Sequence, residues 1–210
     1  MFDLSFRAAV VEESDLLADI VLGDANQETT RVGMALYGID SPDRIRALFR
    51  VLWRVAENWR HTELVIADGR PVGLIQAGSS GSSSVKITPG VVLAVVRTLG
   101  VGVRRVPSRL RIQRRVAPAK PLGSFVITEI HVVPEFRGMG IGDALLDHAE
   151  DEARRLGYRY CALHTLASNP ARRFYDRRGY LNVMTTTDAE FEKLTGVSGN
   201  VLYVKDLDAT

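Results

Sequence analysis

Apolar positions along the chain recur with two periods, and their order predicts alternating strands and helices. Residues 4–10 read as a first strand. Ser14, as an N-cap followed by Asp15, opens a helix to about residue 22. Residues 23–38 are polar, are punctuated by glycine and show no clear period. Ser41, Pro42 and Asp43 combine cap and first-turn chemistry at the start of a long helix reaching about residue 60. Its apolar face is Ile45, Leu48, Leu52, Val55 and Trp59. Trp53 and Trp59 border that stripe, which places them at the core or its rim. Residues 64–68 and 72–77, joined through Gly69, Arg70 and Pro71, read as a hairpin.

Residues 78–123 form an unusual insert. GSSGSSS reads as a flexible loop, and residues 89–99 as a short apolar helix broken by Gly100, Val101 and Gly102. Residues 104–116 hold six arginines, at 104, 105, 109, 111, 114 and 115, and no acidic residue. Val103, Val106, Leu110 and Ile112 interleave with them, so a basic amphipathic helix is expected, with Pro107 in its first turn. A segment of this length is more than a hairpin connection needs.

Residues 125–133 are dense in β-branched residues and read as the central strand, stopped by Pro134. Apolar residues then recur at Ile141, Leu145, Ala149, Ala153 and Leu156, the spacing of an amphipathic helix, and Gly157 ends it. Residues 159–165 read as a strand, 170–178 as a short helix, and 180–186 and 200–205 as the last two strands. A right-handed crossover makes the strands flanking the main helix parallel neighbours. Together these elements predict an α/β (α+β) protein of about seven strands with helices between them. Residues 1–210 are expected to form one domain.

Composition and charge narrow the class. Hydrophobic residues make up 46% of the chain and charged residues 25%, the balance of an ordinary globular protein. The formal net charge of +2 is too small to suggest a nucleic-acid surface, and the arginine cluster lacks interleaved aromatics for base stacking. The longest apolar stretch, residues 91–96, is too short to span a bilayer. The N-terminus lacks the basic and apolar regions of a signal peptide, and one cysteine, Cys161, excludes an internal disulfide. A cytoplasmic location is therefore expected, with Cys161 a small core residue. No two histidines have ligand spacing beside a carboxylate or cysteine pattern, so no metal is expected.

The chemistry concentrates between the central strand and its helix, at Arg137, Gly138, Met139, Gly140, Ile141 and Gly142. The first N–H groups of a helix have no internal partner and carry partial positive charge, and alternating glycines let a ligand approach the backbone. Such a turn can cradle a phosphate or pyrophosphate. It is not a dinucleotide fingerprint, because Asp143 stands where the third glycine of G-x-G-x-x-G would be, and no Gly-Lys-Ser/Thr makes it a Walker loop.

The run HVVPEFRGMGIGDALL resembles the acetyl-CoA motif of the GNAT superfamily of N-acetyltransferases, whose Arg/Gln-x-x-Gly-x-Gly/Ala pattern is met by Arg137, Gly140 and Gly142. A second run, NPARRFYDRRGY at 169–180, resembles the family's next motif, with Tyr175 ahead of Gly179 and Tyr180. The firm resemblance covers roughly residues 124–183. It implies a mixed, strongly twisted sheet of about seven strands with helices on both faces, acetyl-CoA as cosubstrate and a small-molecule or peptide amine as acceptor, with a homodimer compatible with the family. It also implies a central strand parted from its parallel neighbour, leaving backbone groups of Ile130, His131, Val132 and Val133 for the cofactor arm. The turn from Arg137 through Asp143 would hold the pyrophosphate, with Arg137 either adding charge or solvated and Asp143 facing away. Asn169, or Ser168 in its place, and Arg172 would add cofactor contacts.

Three groups are implied for the chemistry. A protonated amine must lose a proton, and Glu129 is the first candidate base, with His131 or a water as alternatives. Tyr175 matches the family's general acid for the leaving thiolate. Two other readings remain, a non-catalytic acyl-CoA-binding or regulatory module on the same fold and a nucleic-acid binder using the arginine cluster. The insert joins the hairpin to the start of the central strand, whereas the glycine turn lies at its end, roughly 30 Å away. The resemblance implies that the acceptor enters at the insert's end, so residues 85–120 are expected to cover that entrance, their arginines facing an anionic acceptor or an acidic partner.

Overall fold

The computed structural model describes residues 3–23, 27–80 and 88–208. Seven strands form one mixed sheet in the order β1-β2-β3-β4-β5-β7-β6. They are β1 Leu4–Ala8, β2 Thr62–Ala67, β3 Arg70–Ser79, β4 Ser124–Val132, β5 Tyr160–Leu166, β6 Leu181–Thr187 and β7 Gly199–Asp206. The β4–β5 pair is parallel and every other neighbouring pair antiparallel, which bears out the crossover argument.

Helices cover both faces. On one, α6 (Ile141–Arg155) packs Ile141, Leu145, Leu146, Ala149 and Ala153 against Ile75, Ile127, Leu163 and Tyr203 of the sheet. On the other, α1 (Ser14–Leu22) and α3 (Pro42–Val55) bury Leu17, Ala18, Val21 and Trp53 against Leu64 and Leu74. The α3 stripe starts as expected, with Ser41 Oγ accepting from Arg44 N–H at 3.4 Å. The helix ends at Val55 rather than near residue 60, because Glu57 takes a left-handed conformation at φ 56° and a 3-10 turn, Asn58–His61, follows. Ser14 is not a cap acceptor: its hydroxyl donates to Val11 O at 2.6 Å, across a 3-10 turn that precedes the helix.

Two helices lie outside the sequence expectation. The region read as periodless contains α2 (Glu28–Tyr37), whose buried face includes Thr30 and Gly33 beside Val32 and Leu36. A hydroxyl and a glycine carry no apolar signal, yet Thr30 satisfies its Oγ1 on Leu22 O at 2.6 Å, and Gly33 lets Ile45 and Phe49 of α3 pack close. The second is α8 (Ala189–Thr195), capped by Asp188 accepting from Phe191 N–H at 2.9 Å and burying Phe191. Two turns with one buried residue give no period to detect.

The insert is helical, as expected. Its helices are α4 (Pro89–Leu99) and α5 (Val106–Val116), linked by a 3-10 stretch, Gly100–Arg105. Most of the serine–glycine loop, residues 81–87, lies outside the described residues, although Gly78 and Ser79 continue β3. Leu99 and Val106 pack with Ile45 and Leu48 of α3, and Val116 with Phe191 of α8. The insert thus spans from α3 to the segment between the last two strands, at the end of the sheet where the topology put it. α7 (Arg172–Arg177) completes the fold.

Leu48 has no exposed surface and joins α3 to the insert, whereas Val51 on the same helix is 37% exposed. Leu48→Ala is expected to cost about 2–5 kcal/mol of unfolding free energy. Val51→Ala should cost under about 1 kcal/mol. Urea denaturation of both variants checks the contrast, and equal losses would contradict the packing described.

Candidate active site

The site begins with an interruption in the sheet. β4 pairs with β5 from Ser124–Tyr160 to Ile127–Leu163 and no further, although both strands continue. The next residue of β4, Thr128, is a bulge, since Gln76 of β3 faces Glu129 and Ala77 faces Ile127. Thr128 Oγ1 donates to Gln76 Oε1 at 2.9 Å, and Gln76 Nε2 donates to Asn58 O at 2.7 Å. An extra residue bends a strand, so β4 leaves β5 here and a gap opens between them.

Backbone groups along the gap are only partly free. Val133 N–H donates to Val72 O at 2.9 Å, inside the sheet. Alternation in an antiparallel ladder then aims the groups of Ile130 and Val132 at the gap and those of His131 and Val133 at β3. Val132 O already accepts Arg137 Nε–H at 3.1 Å, which ties the glycine turn back to the strand.

A cleft of about 750 Å³ follows the gap to the glycine turn. Ile130, His131, Val132, Arg137, Gly140 and Tyr175 are among its walls. Gly138 and Gly140 have φ of +74° and +82°, a conformation that side chains resist. No protein atom lies within 4 Å of where a Cβ on either would sit, so the space before them is open. Gly142 also lines the cleft, but a Cβ there would come within 3.3 Å of Phe174 Cζ, so α6 and α7 pack closely at this point. Ile141 is core and Met139 is 52% exposed, and neither is among the cleft walls. Asp143 borders the cleft with its carboxylate 3.5 Å from Arg178 Nη1, which offsets its charge.

Residues of the second motif divide. Asn169 lines the cleft, but its Nδ2 donates to Thr165 Oγ1 at 2.6 Å and its Oδ1 accepts from Ala171 N–H at 2.9 Å, a local turn ahead of α7. Arg172 donates to Ala167 O at 2.8 Å and is not among the cleft walls, where Arg177 is found instead. Ser168 hydrogen-bonds Glu28 Oε1 at 2.6 Å. Gln27, Glu28 and Thr29 also border the cleft, a contribution hidden in the stretch that showed no period.

Glu129 and His131, two apart on one strand face, are joined by His131 Nε2–H donating to Glu129 Oε2 at 2.7 Å. Tyr175 is 5% exposed, and burial pushes its phenol up to about 12, with smaller contributions from Glu129 and Tyr203. Glu129 also lines a second cavity of about 890 Å³, with Thr128 and His164. His164 is the first β5 residue beyond the paired segment; its ring is accessible within this cavity, yet surrounding protein and Lys120 hold its pKa low. Among the described residues, no three His, Cys, Asp or Glu side chains are arranged to hold a metal ion. No helix among them is long and apolar enough to cross a membrane.

A strand, an open glycine turn, a helix and a forked pair of parallel strands together frame the cleft. Residues 34–180 match the model of the Acetyltransferase (GNAT) family, and the chain belongs to that family. Comparison with curated proteins by sequence gives no match. Among solved structures, an N-acetyltransferase from Staphylococcus aureus Mu50 superposes with a TM-score of 0.60 at 12% identity, over 95% of this chain and 99% of that one. PaiA N-acetyltransferase from Thermoplasma acidophilum, in complex with coenzyme A, gives 0.55 at 14% identity, over 97% and 99%. N-acetylglutamate synthase from Neisseria gonorrhoeae, complexed with coenzyme A and N-acetyl-glutamate, gives 0.52 at 12% identity, over 98% of this chain and 35% of that one. At these identities the likeness is one of fold.

Gly140 combines a left-handed conformation with open space. Gly140→Ala should strain the turn by roughly 1–2 kcal/mol and weaken coenzyme A binding at least tenfold. Calorimetric titration checks this, and unchanged affinity in a folded variant would show that the turn does not meet the ligand.

Proposed function

We propose that the protein is an N-acetyltransferase that moves the acetyl group of acetyl-CoA to a primary amine by direct attack while both are bound, with residues 1–210 acting as one catalytic domain. The observation that carries this reading is the meeting of two cavities at the β4–β5 gap. Ile130, His131 and Val132 line the glycine-turn cleft, while Thr128 and Glu129, just before them, line the second cavity. A thioester laid along one can meet an amine entering from the other.

Acetyl-CoA supplies an activated acyl carbon. Backbone N–H groups of Gly138, Gly140 and the first turn of α6 receive its pyrophosphate, with Arg137 held near them through Val132 O. The Ile130 N–H, directed into the gap, is placed to hold the carbonyl oxygen as it gains charge. Glu129 takes the proton released as the C–N bond forms, and His131 orients its carboxylate. When the C–S bond breaks, the electron pair stays on sulfur.

Tyr175 is the donor nearest that role, but its altered acidity redefines it. A thiol titrates near 8.5, so full transfer from a phenol at about 12 runs uphill by roughly 5 kcal/mol. Tyr175 therefore stabilises the departing thiolate by donating a hydrogen bond, and the thiolate takes its proton from water.

Tyr175→Phe keeps the ring and removes that bond. The loss expected is about 1.5–3 kcal/mol, roughly ten- to a hundredfold in kcat, with acetyl-CoA affinity little changed. Because the phenol keeps its proton to about pH 12, kcat should show no alkaline decline from this group below that pH. Full activity in the variant would remove Tyr175 from the mechanism.

Glu129→Gln should lower kcat/KM and erase the inflection on the acidic side of its pH profile. A profile of unchanged shape would place the base elsewhere, and His131→Gln measured alongside identifies the alternative.

A further inference from the structure

We propose that the second cavity selects an amine carried on an apolar skeleton that also bears an anionic group, the chemistry of an apolar amino carboxylate; this rests on the acetyl-transfer reading above for the identity of the bound amine as acceptor. The cavity, about 890 Å³, is within the usual span of small-molecule sites and far larger than a one- or two-carbon amine fills. Phe49, Leu52 and Trp53 of α3, Val92 and Val95 of α4 and Leu110 of α5 make its broad wall. Val92 remains 50% exposed, so apolar surface is left for a ligand to cover.

The charges bounding the cavity are sorted unevenly. Glu57 is paired with Arg60 at 3.0 Å, and Glu129 with His131 at 2.7 Å. The walls also hold His61, His164, Arg114 and Lys120. Arg114 differs from the other arginines of α5 whose partners are known. Arg109 donates to Ala35 O at 2.6 Å and Arg115 binds Asp188 at 2.9 Å and Glu190, so both anchor the insert. Arg114 forms no ion pair among the described residues and borders the cavity. Lys120 and His164 border the same cavity. The amine is thus placed at Glu129, the apolar skeleton against α3 and α4, and the anion at Arg114. A guanidinium binds a carboxylate through charge-assisted hydrogen bonds.

The test uses a matched pair, L-phenylalanine and phenethylamine, which differ by the carboxylate alone, with glycine as the amino carboxylate lacking the apolar body. Binding to the full-length protein saturated with acetyl-CoA is followed by tryptophan fluorescence, since Trp53 is in the cavity wall. Phenylalanine is expected to bind at least tenfold more tightly than either other ligand. Arg114→Gln should remove the preference over phenethylamine while acetyl-CoA affinity holds. Equal affinities for the three, no binding of phenylalanine, or a preference that survives Arg114→Gln would overturn the proposal. Release of coenzyme A thiol separates it from the underlying reading: preferential binding with no release leaves the cavity assignment standing and overturns acetyl transfer, whereas release from amines without preference overturns the cavity assignment alone.

Discussion

The parting of β4 from β5 after four residue pairs is the constraint on which the site depends. Two parallel strands that stayed together would satisfy each other's backbone and leave no passage between the faces of the sheet. The bulge at Thr128 prevents this, and its hydroxyl fixes the bulge on Gln76, itself anchored to the turn before β2. Unpaired backbone in a sheet interior is costly unless something satisfies it. A ligand can do so at Ile130 and Val132, while Val132 O already accepts Arg137. The cost of opening the sheet and the presence of unpaired backbone facing the gap are therefore one feature.

Around that gap the two faces are built for different tasks. The α6 face is densely packed, and its small residues, Ala149 and Ala153, bring the helix close to the sheet. Gly142 does the same at the helix start, where Phe174 of α7 presses against it. That packing holds the glycine turn rigid opposite the end of β4. The other face keeps a large cavity, because α3, α4 and α5 pack on one another and roof the sheet at a distance rather than filling it.

The arginines of the insert divide along the same line. Those at 109 and 115 hold α5 to α2 and to the β6–α8 junction, so much of the basic run is structural. The ion pairs of Arg115 are solvent-accessible and individually weak. They gain value by being attached to an apolar seam, Val116 against Phe191, that already sets the distance. Among the described residues, none of the insert borders the glycine-turn cleft, as the length of the central strand implied.

Strong periods and rigid signals were legible in the sequence. The amphipathic stripe of α6, the Ser41–Pro42 start of α3, the hairpin and the strand–glycine–helix unit each rest on interactions a few residues apart, and each is present in the structure. The helical insert was legible for the same reason. What depends on distant partners was not. A helix whose buried face uses Thr30 and Gly33 looks polar until α1 and α3 are known to cover it, and α8 is too short for a period. The same holds at the site. The order and chemistry of residues 125–180 specified a glycine turn beside a strand, and the family resemblance led to Glu129, His131 and Tyr175. Only the tertiary structure decided that Glu129 and His131 are bonded to each other, that burial makes Tyr175 a poor acid, that Asn169 and Arg172 serve local bonds, and that His164 faces the gap. Those outcomes turn on burial and on which strand ends where, and both are set by contacts between residues far apart in the chain.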